Sequence, residues 1–313
     1  MLGALRYSGA TALERWRSRD ALRIVTYHGV DERDDPVMNF DRLQVHPERF
    51  QRQIEQLARE YRIVELSSAV RHWLEHGTWP TRSLAITFDD GYLNNLKVAA
   101  PILNRVGVHA TFFVTSSFIE GRSQPWWYAA RAVIAGQGGE KAGAQRNAAR
   151  LEAEWRPLPE EERSERLLKL SGDDRLPEPY YPFMRKEDVA ELAGQGFDVQ
   201  PHGDAHISFR GESIETLGAD IERSATFVRS VTGRAPWGFA YPYGHMPTDR
   251  AATEAIMAEC GLCVALSTVE GNNAADADRW ALRRWDLHGG YSVSAASVRV
   301  SGVRALIGGR GSA

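Results

Sequence analysis

Two cysteines in 313 residues exclude a disulfide-stapled scaffold. They lie together as Cys260-Gly261-Leu262-Cys263, and no second pair exists to complete a four-thiolate metal site, so they read as buried thiols at a helix-to-strand junction. Long apolar runs are missing too: nothing approaches the ~18 residues of a membrane span. The first twenty residues lack the continuous apolar core of a secretory signal and carry Arg6, Glu14, Arg15, Arg17, Arg19 and Asp20 instead. The expectation is a cytoplasmic protein without a transmembrane segment, with peripheral contact to a membrane surface left open. Excess positive charge is also absent. The formal net charge is -3, no basic stripe is interleaved with aromatics, and nucleic acid is therefore not expected as a partner. No internal repeat and no Gly/Pro-rich linker divides the chain.

What is present is the composition of a folded domain, 43% hydrophobic and 25% charged, in a chain long enough for a sizeable core. Short β-branched runs alternate with helical patterns. Leu22 to Val30 reads as a first strand, Phe50, Ile54, Leu57 and Tyr61 recur at helical spacing, and strands follow at 62–66, 84–88 and 109–115. Asn94 to Val106 reads as a helix despite Pro101. Such alternation predicts parallel strands joined by crossover helices, an α/β fold. From Gly121 to about Met184 the pattern changes to a helical insertion. Its Glu140–Arg175 portion carries 8 Lys/Arg against 9 Asp/Glu, the balance of solvated helix faces. Trp126-Trp127-Tyr128 at its entrance and Tyr180, Tyr181 and Phe183 at its exit suit a groove wall and an anchor to the core equally well. The alternation resumes with strands at 197–200, 262–266 and 280–288, while the residues after Gly290 are uninformative.

The chemistry concentrates at strand ends. Leu84-Ala85-Ile86-Thr87-Phe88 stops at Asp89-Asp90-Gly91, and carboxyl ends of parallel strands are where such folds do chemistry. Neighbouring residues point to opposite sides, so one carboxylate can bind a metal while the other handles a proton. Downstream, His202-Gly203-Asp204-Ala205-His206 follows another strand, and two histidines four apart can converge from one helical turn. Asp90, His202 and His206 together form a two-His, one-carboxylate set that leaves room for water and substrate on zinc or another first-row divalent ion (cobalt, nickel, manganese). Asp89 then stands as general base, Arg284 as the arginine that orients it and keeps it ionised, and His288 as proton donor to a leaving amine. Arg283 is the solvated counterpart of Arg284, although the sequence allows the two to exchange. His28, at the end of the first strand, is a further site candidate.

Thr87-Phe88-Asp89-Asp90-Gly91-Tyr92, His202 to His206 and Phe239-Ala240-Tyr241-Pro242-Tyr243-Gly244 resemble, in order and spacing, the first three motifs of the polysaccharide deacetylases with a NodB-type homology domain. Thr26 to Val30 and Ala110 to Val114 look like that family as well. The resemblance implies a distorted (β/α) barrel, seven-stranded, and metal-dependent hydrolysis of an acetamido group on a sugar. It implies the first Asp as base and the second Asp with both histidines as metal ligands. It further implies a groove wall from Tyr241-Pro242-Tyr243, with the backbone N–H of Tyr243 stabilising the oxyanion. On this basis residues 1–20 form an N-terminal arm, 21–290 the barrel with its insertion at about 121–183, and 291–313 a tail. Ala240 stands where the family often has an arginine that contacts the catalytic Asp, which makes Arg284 the substitute, and the late motifs match poorly. The expected substrate is an N-acetylated carbohydrate, either a polymer, an oligosaccharide or a lipid- or nucleotide-linked precursor. Two competing readings are hydrolysis of another amide, a formamide or cyclic ureide, on the same barrel, and a catalytically silent sugar-binding barrel.

Overall fold

The computed structural model describes residues 9–172 and 176–303, so the first eight residues of the expected arm and the last ten of the expected tail lie outside the described residues. The strands are β1 (Arg23–Tyr27), β2 (Gly29–Val30), β3 (Gln44–Val45), β4 (Arg62–Ile63), β5 (Ser83–Phe88), β6 (Thr111–Val114), β7 (Asp198–Pro201), β8 (Gly238–Ala240), β9 (Val264–Leu266) and β10 (Trp285–Asp286). The main sheet runs β10-β1-β5-β6-β7, all parallel, with β4 pairing the start of β5. β1 and β5 are buried at every residue, as strands covered on both faces must be, which is why they read as unbroken apolar runs.

The sheet curls into a distorted parallel (β/α) barrel. β8 and β9 pair with each other, and a bridge from Leu266 to Leu282 leads round to β10, which pairs with β1. Between β7 and β8 a side chain does what a ladder would do elsewhere: Gln200 Oε1 accepts the amides of Trp237 at 2.8 Å and Gly238 at 3.1 Å. Seven strands thus follow one another around the ring, with two irregular seams among the described residues: no ladder joins β7 to β8, and an isolated bridge at Leu282, rather than a ladder, links β9 to the segment that enters β10.

Helices clad the outside. Pro47–Glu60 buries Phe50, Ile54 and Leu57, one apolar stripe at helical spacing, and Ile214–Thr232 starts at Ser213, whose Oγ accepts the Thr216 amide at 3.2 Å. The core stacks Phe88 between Tyr27 and Phe112, at ring separations of 5.6 and 4.8 Å. Three helices, Trp126–Gly136, Lys141–Trp155 and Glu160–Ser171, make up the insertion. The buried Arg131 guanidinium pairs with Glu152 of the next insertion helix at 2.5 Å and joins the insertion to the barrel loop through Asp41 at 2.5 Å and the Met38 carbonyl at 2.7 Å.

Several elements differ from the sequence expectation. The helix expected from Asn94 begins as a π-helical turn, Asn95–Ala99, and becomes α-helical over Ala100–Val106, with Pro101 in its first turn where a missing N–H costs little. The strand expected over Trp280–His288 is reduced to Trp285–Asp286, because Asn273 bonds both the N–H and the C=O of Arg283 at 2.8 and 2.9 Å in place of a ladder. After Gly290, where the sequence is silent, Val293–Ser301 is a helix with Ala296 and Val300 in the core. No helix among the described residues is long and apolar enough to cross a membrane.

Candidate active site

At the carboxyl end of β5 the chain turns sharply. Asp90 and Gly91 both take left-handed backbone conformations, with φ of 76° and 91°. The positive φ at position 91 favours glycine, and an added Cβ would also crowd Val114 Cβ at 3.3 Å and the tip of Ile119 at 2.9 Å. Three of the five non-glycine residues with positive φ among the described residues are Asp90, His206 and Tyr243. Backbone strain of this kind persists where surrounding contacts over-determine it, and here it gathers around one point.

Asp90 Oδ1 lies 3.5 Å from His202 Nε2 and 3.3 Å from His206 Nε2, and one ligand atom from each of the three residues falls within a 4.8 Å set. Those separations are near the ~3.4 Å edge of a tetrahedron whose centre sits ~2.0–2.1 Å from N and O ligands. The residues present therefore fit a divalent ion. His202 Nδ1 lies 2.7 Å from the Ala240 carbonyl, which fixes the tautomer and turns Nε2 toward Asp90. His206 Nδ1 is buried without a hydrogen-bond partner.

The histidines do not converge from a helical turn, as the spacing suggested. Residues 202–207 form a loop, with φ of 79° at Gly203 and 53° at His206. Contacts on both sides hold the loop. Ser116 and Ser117 donate their amides to the carbonyls of Gly203 and Asp204, and Asp220 Oδ1 accepts the Ala205 amide at 2.8 Å. Asp204 is itself bound by Ser116 Oγ, Arg122 and Arg223 at 2.5, 2.5 and 2.9 Å. A Cβ at Gly203 would meet Asp220 Oδ2 at 2.7 Å.

Asp89 leaves β5 in a different direction. Its Oδ1 accepts Arg284 Nη1 at 2.7 Å, and the same guanidinium donates through Nε to the Ser267 carbonyl at 2.9 Å and through Nη1 to Thr26 Oγ1 at 3.2 Å. Arg284 is fully buried, and the neighbouring Arg283 is exposed as expected. Burial by itself would raise the Asp89 carboxyl, yet the Arg284 charge, with His202, holds it below the ordinary carboxylate range. Asp90 is likewise held well below that range: burial opposes ionisation, and its hydrogen bonds to His202 and His206 outweigh it. The two imidazoles part company. Burial lowers His206, while at His202 the same desolvation is overcome by the charges of Asp89 and Asp90, and its pKa rises.

These groups line a cavity of about 260 Å³ together with His28, Tyr241, Tyr243, Trp127, Asp41, Leu43, Arg156 and Thr268. Tyr243, at φ 56°, packs its ring 4.6 Å from His206, and Pro242 is buried behind the turn. Of the insertion aromatics, Trp127 both lines the cavity and packs 5.4 Å from His206, whereas Tyr181 and Phe183 anchor the exit against Arg33 and Tyr92. His288 is not among the lining residues. Its Nδ1 accepts the Gly290 amide at 3.0 Å and its ring lies 4.2 Å from Tyr291. Asp41, Leu43, Arg156 and Thr268 carried no sequence signal, since they come from irregular loops and from the end of an insertion helix.

A family model described as polysaccharide deacetylase matches residues 76–264. The Streptococcus pyogenes deacetylase PplD, solved in complex with acetate, is 17% identical and aligns over 90% of this chain and 98% of its own with a TM-score of 0.64. IcaB from Ammonifex degensii is 20% identical, with 90% and 97% covered and a TM-score of 0.60. A de-N-acetylase from Aggregatibacter actinomycetemcomitans is 15% identical, with 87% and 97% covered and a TM-score of 0.59. At these identities the structural likeness is one of fold. No curated protein matches the sequence.

Proposed function

The chain belongs to the polysaccharide deacetylase family, and from that premise we propose that it removes the acetyl group from an N-acetylated sugar by metal-dependent hydrolysis. One observation carries the proposal: a carboxylate oxygen at 3.5 and 3.3 Å from two imidazole nitrogens, beside a second carboxylate clamped by a buried arginine. A silent sugar binder has no use for the second carboxylate.

In this reading Asp90, His202 and His206 hold the ion. Two imidazoles and one carboxylate suit zinc, with cobalt, nickel or manganese as substitutes. A divalent ion there would polarise the acetamide carbonyl and acidify a water. Asp89 would accept the proton of an attacking water as its oxygen adds to the carbonyl carbon. Arg284 keeps Asp89 ionised and aimed, the work a guanidinium does through a short charge-assisted bond. The Tyr243 backbone N–H is assigned to the oxyanion, and Tyr241 and Pro242 to the wall that seats the sugar. Collapse of the tetrahedral adduct breaks the C–N bond, and the amine leaves with a proton as acetate is released. His28 lines the cavity and His288 does not, so His28 is the better placed of the two to deliver that proton.

The test is acetate release from polymeric, oligomeric and carrier-linked N-acetylated sugars by purified protein, before and after chelation and then with zinc or cobalt restored. Release that disappears with the metal and returns with it supports the reading. Metal bound at one equivalent without release from any sugar would move the reading to a different amide, and no metal binding would favour a silent barrel.

A further inference from the structure

One cationic side chain lines the cavity, and its one ion pair with a described carboxylate is long. Arg156 follows the insertion helix Lys141–Trp155, and its side chain is 56% exposed. Its nearest carboxylate, Glu152, lies 3.9 Å away and is already held through both oxygens by Arg131. Asp41, the other charged lining residue away from Asp89 and Asp90, is taken up by Arg131 as well. A second arginine packs behind the cavity wall: Arg163 is buried against Trp126 and the Tyr243 ring, and it pairs with Glu160 at 2.5 Å, but its Nε has no partner. His245 stands 5.7 Å from Tyr243 by ring centroid, and its Nδ1 lies 2.8 Å from Ser208 Oγ, which also accepts the Arg210 amide. Burial lowers the pKa of His245, and Arg210, Arg156 and Arg163 lower it further, with no carboxylate acting the other way.

We propose that the acetamido sugar accepted by this site carries an anionic group, a phosphate or a carboxylate, which Arg156 binds at the cavity rim while the acetyl group reaches Asp89 and the Asp90/His202/His206 cluster. The proposal rests on the deacetylase reading for its substrate but on Arg156 for its charge. A guanidinium presents paired donors that match phosphate and carboxylate oxygens, and that of Arg156 is half-exposed and only loosely paired, because Arg131 holds Glu152 more closely. Trp127 and Tyr243, packed edge to face on each other, would form one wall beside the sugar ring.

The test has two independent arms on the zinc-loaded full chain. Calorimetry compares N-acetylglucosamine 1-phosphate, its uridine-diphosphate ester and an N-acetylated uronic acid with neutral N-acetylglucosamine. Acetate release is followed on the same four compounds. An anionic member is expected to bind and turn over better than the neutral sugar by about tenfold or more, the scale of one charge-assisted contact. In Arg156→Gln that ratio should fall toward one, in Arg156→Glu it should invert, and in Arg156→Lys most of it should survive. Phosphate oxygens that bind the metal instead would give a preference indifferent to all three substitutions, and that result overturns the proposal. Whichever anionic compound leads identifies the source of the charge. Acetate release with no anionic preference would sink this inference and leave the deacetylase reading standing. Arg156-dependent binding of the anionic sugar with no release from any compound would do the reverse.

Discussion

Arg284 Nη1 and Asp89 Oδ1 lie 2.7 Å apart with both side chains buried, and 195 residues of chain separate them. The pair joins the end of β5 to the segment entering β10, two strands that flank β1 on opposite sides. Its geometry sets the first expectation. Removing the guanidinium in Arg284→Met leaves a buried carboxylate unpaired, which costs about 3–5 kcal/mol in comparable pairs. The Asp89 pKa, now held down by Arg284, should rise, so the acid limb of the pH–rate profile moves to higher pH. The stability that the pair confers is present above the unfolded carboxylate pKa and is lost as pH falls through the lower folded value. An unchanged acid limb in a folded Arg284→Met protein would refute this coupling.

Asp89 and His202 should separate chemistry from metal. Asp89→Asn keeps the shape of the site and removes the base, so turnover should drop by about 10²–10⁴-fold while one equivalent of metal stays bound. His202→Ala should lose both. Metal analysis of the two purified variants decides the matter, and equal metal loss would abolish the division of labour between Asp89 and Asp90.

Two imidazoles compete for the proton delivered to the amine. His28→Ala should lower kcat by about 10²-fold with little change in metal content, because His28 lines the cavity. His288→Ala should leave kcat close to the wild-type value, since its Nδ1 is engaged by Gly290 and it stands outside the lining. A kcat lost in His288→Ala and kept in His28→Ala would restore the acid role that the sequence suggested for His288.

Asp220 lies beneath the loop that carries both histidines, and burial pushes its carboxyl up to about 6 in spite of the backbone amides of Ala205 and Asp204. Between its unfolded value and that pKa the native state binds more protons than the unfolded state, so stability falls as pH rises across this window. The shift corresponds to roughly 3 kcal/mol at most. Asp220→Asn can still accept the Ala205 amide, and it should gain stability over the wild type from pH 4 to pH 7 and level off above. Urea denaturation across that range tests it; a pH-independent difference between the two proteins would mean that Asp220 does not titrate there.

The apolar runs that became β1 and β5 and the stripe of Phe50, Ile54 and Leu57 were readable because periodicity is local: each residue's burial follows from its neighbours along the same element. The adjacency of Asp89 and Asp90 at a strand end was readable for the same reason. The loop at His202–His206 was not, because its left-handed residues are held by Ser116, Ser117 and Asp220, contacts that no spacing rule encodes. Nor was the helix at Val293–Ser301, whose short run of small and β-branched residues gains its stability by packing against the helix Pro47–Glu60.

By itself, then, the sequence determined which residue types stand at the strand ends and that strands and helices alternate, since both are properties of contiguous chain. Only the tertiary structure decided their partnership. It set Arg284 rather than Arg283 against Asp89, brought His28 to the cavity and left His288 outside it, and placed Arg156 of the insertion on the rim. Those outcomes depend on where the ring of strands closes and how the insertion is clamped by Arg131, and they follow from packing between segments far apart in the chain.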